Sequence, residues 1–240
     1  MRSSEVLHRA EYAVYGFDIS PRGHVLPSAL SRIAQQAATD HLAAMAMSSD
    51  NDCWVLRRNV LGGWRGVPHV DRLLVVLSIV SVGRCWLESC MEFLPPDRTT
   101  GANIRASWVR LDRRSRRPVP LAPAFRELCR PGPGRTGLAW RSEARSRSWT
   151  FSDAEQVALR EADFDALGHV NSARYFDLIE SLASGADEIL VEYDSPIDWP
   201  TRSAILRTGH DGTDRVFSVE SVDGARTFGH GYVRSARREA

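Results

Sequence analysis

Lysine is missing from this chain: all 31 basic residues are arginine, set against 30 acidic ones, for a formal net charge of +1. So close a balance excludes a chain drawn as a whole to polyanions. Uniform arginine reads as GC-rich coding drift and takes weight from any argument that prefers arginine to lysine. Cysteine is scarce: Cys53, Cys85, Cys90 and Cys129 form no CxxC pair and read as buried thiols. The seven histidines do not cluster with cysteines or carboxylates at ligand spacing, so no metal and no organic cofactor is expected. The longest apolar run, Leu73–Leu77, breaks at Ser78, far short of the roughly 20 residues of a membrane span. The segment Met1–Val6 lacks the apolar stretch of a signal peptide. With 43% apolar and 25% charged residues, the 240-residue chain reads as globular, soluble and cytoplasmic, with one large domain or two small ones.

Periodicity supplies the organisation. Glu11–Phe17 is strand-like, and Leu26, Leu30, Ile33, Ala34, Ala37, Ala38, His41, Leu42 and Met45 recur at helical spacing over 26–46. Its alanines predict a helix that a sheet wraps closely. Strands follow at Trp54–Leu61, Arg72–Val80, Arg84–Leu94 and Ala102–Leu111, divided by glycine and proline turn signals. Pro118–Trp149 shows no sustained period and reads as a linker with a short helix near Ala124–Cys129.

The order then begins again. Glu155–Ala162 is strand-like, Ser172 to about Leu182 helical, and Glu188–Tyr193, Ser203–Thr208, Arg215–Val222 and Ala225–Val233 strand-like. At both strand-to-helix junctions the chain carries a related octapeptide, Asp18-Ile-Ser-Pro-Arg-Gly-His-Val25 and Asp163-Phe-Asp-Ala-Leu-Gly-His-Val170. The expectation is an α+β tandem hotdog, an antiparallel sheet wrapped around a central helix in each half. Its parts are a first hotdog at 1–117, a linker at 118–149 and a second hotdog at 150–240.

The second junction carries the sharper chemistry. Gly168 permits a tight turn, and Asn171 is a good helix N-cap. Unpaired N–H groups near Gly168, Val170 and Asn171 would stabilise negative charge on a carbonyl oxygen beside Asp165 and His169. Acyl transfer from a thioester to water needs such a set. The competing reading makes Asp165 and His169 partners of the loop's own backbone. The first junction has Ser20 in place of Asp165, with His24 its only nearby base, and reads as a degenerate half-site shaping an acyl pocket.

The stretch Asp163–Tyr175 resembles the hotdog thioesterases, whose pattern sets an aspartate shortly before Gly-His-Val-Asn. More of the chain is similar to one branch, the acyl-[acyl-carrier-protein] thioesterases of two fused hotdogs. Trp54–Arg58 with Trp64–Gly66, Ala106–Asp112 closing on Arg116–Pro120, Glu180-Ser181 and Val191-Glu192-Tyr193 all fit that branch. The resemblance implies catalytic roles for Asp165 and His169, with Asp165 activating water or attacking the carbonyl. Glu180 is a helix-end residue and an auxiliary candidate. The sequence departs from the family's pattern at Leu167, Pro196 and Ile197, which stand at its asparagine, glutamate and cysteine positions.

Between Arg105 and Arg147 twelve arginines meet only Asp112, Glu127 and Glu143. Within that stretch Arg113, Arg114, Arg116 and Arg117 form either a solvated hairpin or a docking patch for an acidic carrier protein. The run is too short to favour nucleic acid. The expected substrate is an acyl thioester on acyl-carrier protein or CoA. Two other activities fit: a dehydratase or cyclase pairing His24 with Asp165 on carrier-bound polyketide chains, and a silent acyl-binding protein. Fused halves suit a monomer, and a homodimer is compatible. No membrane partner is expected.

Overall fold

The computed structural model describes residues 6–44, 51–97, 101–129 and 149–235. The described residues group into two compact units, one holding 6–59 and 63–129, the other 60–62 and 149–235.

In the first unit the strands are β1 (Val6–Ala13), β2 (Asp52–Gly62), β3 (Arg72–Val82), β4 (Trp86–Leu94) and β5 (Ala102–Asp112), in sheet order β1-β3-β4-β5-β2. The β1–β3, β3–β4 and β4–β5 ladders are antiparallel. Alternation sends Leu73, Val75, Leu77, Leu87, Met91, Phe93, Ile104 and Ala106 into the core. Helix α1 (Pro27–Ala44) starts on a proline, whose fixed φ suits a first helical turn. It buries Ala29, Leu30, Ile33, Ala34 and Ala37 and packs against β1 and β3. Three of those five residues are alanine, whose small side chains allow a close approach to the sheet. This unit is hotdog-like, as its pattern predicted; the end of the expected helix, 45–46, lies outside the described residues.

The segment read as a linker begins as packed structure. Helix α2 (Pro123–Leu128) forms where the short helix was expected. Leu121, Phe125 and Cys129 join Ile79 and Leu87 in one buried cluster, against Trp54 and Trp108. Burial pushes the Cys129 thiol up to about 11, so it stays a thiol. None of the four cysteines is joined in a disulfide. Residues 130–148 of the expected linker lie outside the described residues.

The second unit comprises β6 (Thr150–Ala158), α3 (Arg174–Leu178), β7 (Glu188–Tyr193), β8 (Ser203–Asp211), β9 (Asp214–Glu220) and β10 (Thr227–Arg234), in sheet order β7-β10-β9-β8-β6. Its ladders are antiparallel. Here the expected helix is cut short: α3 has five residues and turns follow to Gly185. A second long central helix is absent among the described residues. Gly185 adopts a positive φ of 83°, which ends any helical continuation. Burial is still achieved, because Tyr175, Phe176, Ile179, Ala183 and Ala186 all turn inward.

Both opening strands also sit earlier than expected, at 6–13 rather than 11–17 and at 150–158 rather than 155–162. The cause is the same in each unit. A buried aspartate, Asp18 or Asp163, ends a 3-10 turn and accepts the backbone N–H three residues back, from Tyr15 at 3.0 Å and from Arg160 at 2.9 Å. That turn replaces the final residues of the anticipated strand. Asp163 is also paired with Arg160 at 3.1 Å and Arg174 at 3.3 Å. Burial raises its pKa, but these hydrogen bonds and charges outweigh that and hold the carboxyl below its ordinary value. Replacing Asp163 with alanine leaves the turn amide and the Arg160 guanidinium without their acceptor and removes one ion partner of Arg174. We expect a loss of about 2–4 kcal/mol in urea unfolding at pH 7, with the difference narrowing as pH falls through the lowered aspartate pKa.

Candidate active site

After each buried aspartate the chain makes the same loop. Ser20 N–H donates to the His24 carbonyl at 2.8 Å, as Asp165 N–H does to that of His169 at 2.8 Å. Gly23 N–H closes on the Ser20 carbonyl at 2.9 Å, and Gly168 N–H on that of Asp165 at 2.9 Å. Gly23 and Gly168 hold φ of 77° and 75°, a left-handed conformation that favours glycine in both copies. Single bridges pair Ile19 with Val25 and Phe164 with Val170. The octapeptide echo is therefore a repeated hydrogen-bond pattern.

The two side chains that differ perform one common task. Ser20 Oγ accepts the His24 N–H at 3.2 Å; Asp165 Oδ1 accepts that of His169 at 3.1 Å and of Leu167 at 2.8 Å. A hydroxyl is thus enough to close this loop. Asp165 is exposed, and its second oxygen has no partner among the described residues.

The imidazole of His169 does not face that carboxylate. It is half-buried, with Nε2 3.3 Å from Asp198 Oδ1, while a backbone bridge ties His169 to Asp198. Sequence reading missed Asp198, which lies 29 positions away and reaches the loop only through tertiary pairing.

The expected cluster of unpaired amides is a correction. Gly168 N–H goes to Asp165, Val170 N–H to the Ile197 carbonyl at 2.9 Å and Asn171 N–H to that of Asp163 at 2.8 Å. His169 N–H goes to the Asp165 carboxylate. Each donor from Gly168 to Asn171 has an internal acceptor, because the loop closes on itself and on the segment at Ile197. Asn171 does cap the next turn, its Oδ1 accepting the Ala173 N–H at 2.8 Å.

The other candidates fall as follows. Glu180 is exposed on the turn after α3. His24 is half-buried, with no partner for Nδ1 among the described residues. Arg113, Arg114, Arg116 and Arg117 are all exposed beyond β5, where Asp112 accepts the Ser115 N–H at 2.6 Å and shapes the turn. Ile197 is a core residue, and Leu167 is exposed.

A buried charged cluster in the second unit escaped the sequence. His230 on β10 lies directly opposite Glu192 on β7. Its Nε2 is 3.2 Å from Glu192 Oε2, and its Nδ1 is 2.6 Å from Asp194 Oδ2. Trp149 meets the ring edge-on at 5.9 Å. Gly229, beside it, lets the backbone approach the Tyr175 ring, since a Cβ there would lie 2.8 Å from Tyr175 Cε1. Burial pulls the His230 pKa down, but hydrogen bonds and charge from Asp194 and Glu192 prevail and push it up to about 9. A histidine held protonated at neutral pH is an ion-pair centre and a poor general base. Only the Glu-x-Asp spacing around Tyr193 hinted at this cluster, and strand register was needed to add His230.

Among solved structures the chain is similar to a candidate oleoyl thioesterase of Lactobacillus plantarum, at 16% identity over 96% of each chain and a TM-score of 0.76. An acyl-ACP thioesterase of Bacteroides thetaiotaomicron gives 17% identity over 95% of this chain and 96% of the other, with a TM-score of 0.75. The 12:0-ACP thioesterase of Umbellularia californica gives 14%, 95%, 96% and 0.70 for the same measures. Likeness at these identities establishes a shared fold. No protein-family model matches the sequence, and no curated protein matches it.

The His230 pairing has a measurable signature. Its folded pKa exceeds the ordinary 6.5, so the stability it contributes is whole below about pH 6.5 and is lost as pH rises through about 9. We expect the unfolding free energy to fall by about 3 kcal/mol between pH 6.5 and 10. His230→Gln should be less stable at neutral pH and nearly flat across that window; a wild-type curve as flat as the variant's would contradict the assignment.

Proposed function

We propose that this protein is a tandem-hotdog thioesterase that hydrolyses acyl thioesters carried on acyl-carrier protein or CoA, with Asp165 and His169 at its centre. One observation carries the reading. The same loop is built twice and a serine suffices to close it, yet the second copy holds an exposed carboxylate with an oxygen to spare. The near-complete overlap with three thioesterase structures supports the choice of chemistry.

In this mechanism Oδ1 of Asp165 is held by two N–H groups and Oδ2 works on substrate. It takes a proton from water as the oxygen attacks the thioester carbonyl, or attacks that carbon itself and leaves water to hydrolyse the resulting anhydride. Because the loop amides are engaged, charge on the carbonyl oxygen falls to His169. With Nε2–H directed at Asp198, the imidazolium form of the ring offers Nδ1–H to that oxygen and then gives that proton to the departing sulfur, leaving a neutral ring. The C–S bond breaks, and a free acid and a thiol leave. Leu167, Pro196 and Ile197 remove the family's asparagine, glutamate and cysteine, so the chemistry rests on fewer groups. The exposed Arg113, Arg114, Arg116 and Arg117 steer an acidic carrier. The division into a first hotdog, a linker and a second hotdog, and a cytoplasmic setting, belong to the same reading.

Asp165→Ser places in the second loop the residue that already closes the first. We expect it to fold with a melting temperature close to wild type and to lose at least about a hundredfold in thiol release from acyl-carrier-protein and acyl-CoA thioesters. Unchanged release by Asp165→Ser would overturn the role of Asp165. Water loss without thiol release would favour the dehydratase or cyclase, and no turnover in the wild type would leave an acyl-binding protein.

A further inference from the structure

The first unit contains a cavity of about 410 Å³ between the end of β1 and α1, lined by Tyr12, Tyr15, Phe17, Arg32, Ile33 and Gln36. That volume falls within the roughly 300–1,000 Å³ of small-molecule sites. Two aromatic rings stand at it uncovered: Tyr15 is 58% and Phe17 75% exposed. They are stacked, with centroids 5.5 Å apart and planes 14° from parallel. Adjacent exposed rings that cover each other and little else present a flat apolar face to water.

The polar groups are sorted by type. Arg32 donates from Nη2 to the buried Asp18 at 3.0 Å, which anchors the guanidinium, and its other donors have no partner among the described residues. Tyr12 donates its hydroxyl proton to Asp40 Oδ2 at 2.7 Å, so His8 Nε2, 3.0 Å from the same oxygen, must be the donor there. Burial, and then the hydrogen bond and charge of Asp40, push the Tyr12 pKa upward, so the phenol keeps its proton. Donating to Asp40 and accepting from His8, the Tyr12 hydroxyl is fully engaged and forms a fixed part of the wall. Gln36 gives its amide N–H to Asp40 at 2.7 Å, which leaves Oε1 as an acceptor. Arg32 and Gln36, one helical turn apart on α1, therefore bring open donors and an open acceptor to the cavity wall.

We infer that this cavity is a ligand site for a planar aromatic carboxylic acid bearing a ring hydroxyl. The ring stacks on the Tyr15–Phe17 face, the carboxylate takes the open donors of Arg32, and the hydroxyl donates to Gln36 Oε1. A saturated fatty acid of similar size answers Arg32 but leaves Gln36 unmet and cannot stack on the ring face. All of these residues belong to the first unit, so the inference stands independently of hydrolysis at Asp165.

Isothermal titration of the full chain with 6-hydroxy-2-naphthoate, 2-naphthoate and octanoate tests it. Saturable one-to-one binding is expected for the hydroxynaphthoate, about tenfold weaker binding for 2-naphthoate and weaker still for octanoate. Phe17→Ala, at a position exposed enough to leave folding intact, should weaken hydroxynaphthoate about tenfold (about 1.4 kcal/mol), and Gln36→Leu should erase its advantage over 2-naphthoate. No saturable binding, binding unaffected by Phe17→Ala, or octanoate binding as tightly would each overturn the inference. Circular dichroism of the variants keeps a folding defect from passing as a binding one.

Discussion

A buried carboxylate that turns the backbone is the constraint on which the rest of this structure depends. Asp18 and Asp163 are each about 5% exposed, and each accepts a main-chain N–H and a guanidinium. A charge so enclosed is tolerated only when its lone pairs are answered, which fixes the chain's direction as it leaves the opening strand. The carbonyls of the same two residues then receive Leu26 and Asn171, each at 2.8 Å. Strand, turn, loop and helix start are thereby joined around one side chain in each unit. The Arg32 that answers Asp18 also serves the first unit's cavity, so the anchor sets the geometry of a binding wall as well as of a turn.

Chemistry is layered on that frame. In the first copy a serine hydroxyl closes the loop; in the second a carboxylate does so and retains an unengaged oxygen. The histidine that follows each loop differs in its surroundings: His169 is set against Asp198, and His24 has a ring nitrogen with no partner among the described residues. The loop amides are engaged in holding the loop shut and do not serve a developing oxyanion. The consequence is a compact proposed machinery in which His169 carries electrophilic and acid roles. His230, by contrast, is fixed between two carboxylates and acts in stability.

Much of this was legible in the sequence. The shared Asp, Gly, His and Val of the two octapeptides mark the positions whose backbone needs are strictest: a buried turn acceptor, a left-handed glycine and a bridge partner. Strand β7 falls on its expected residues because its apolar run is bounded by polar ones. Tyr15 and Phe17 misled, since their β-propensity suggested strand where the aspartate anchor imposes a turn and leaves both rings in solvent. The second helix was overestimated because apolar spacing continues through Ile179 and Ala183 after the backbone has left the helix, and periodicity registers burial rather than hydrogen bonding. Asp198 and His230 were illegible for another reason: their significance lies in strand register and loop pairing, which connect positions far apart in the chain.

The central claim is that the carboxylate added to the second loop meets the reacting carbon. A crystal structure with a non-hydrolysable thioether analogue of an acyl-pantetheine tests this most directly. The account predicts the analogue's carbonyl-equivalent carbon within about 3.5 Å of Asp165 Oδ2, or joined to it through one ordered water, with His169 Nδ1 on the oxygen side. An analogue seated with its reactive carbon remote from Asp165, while the loop keeps its hydrogen bonds, would contradict it.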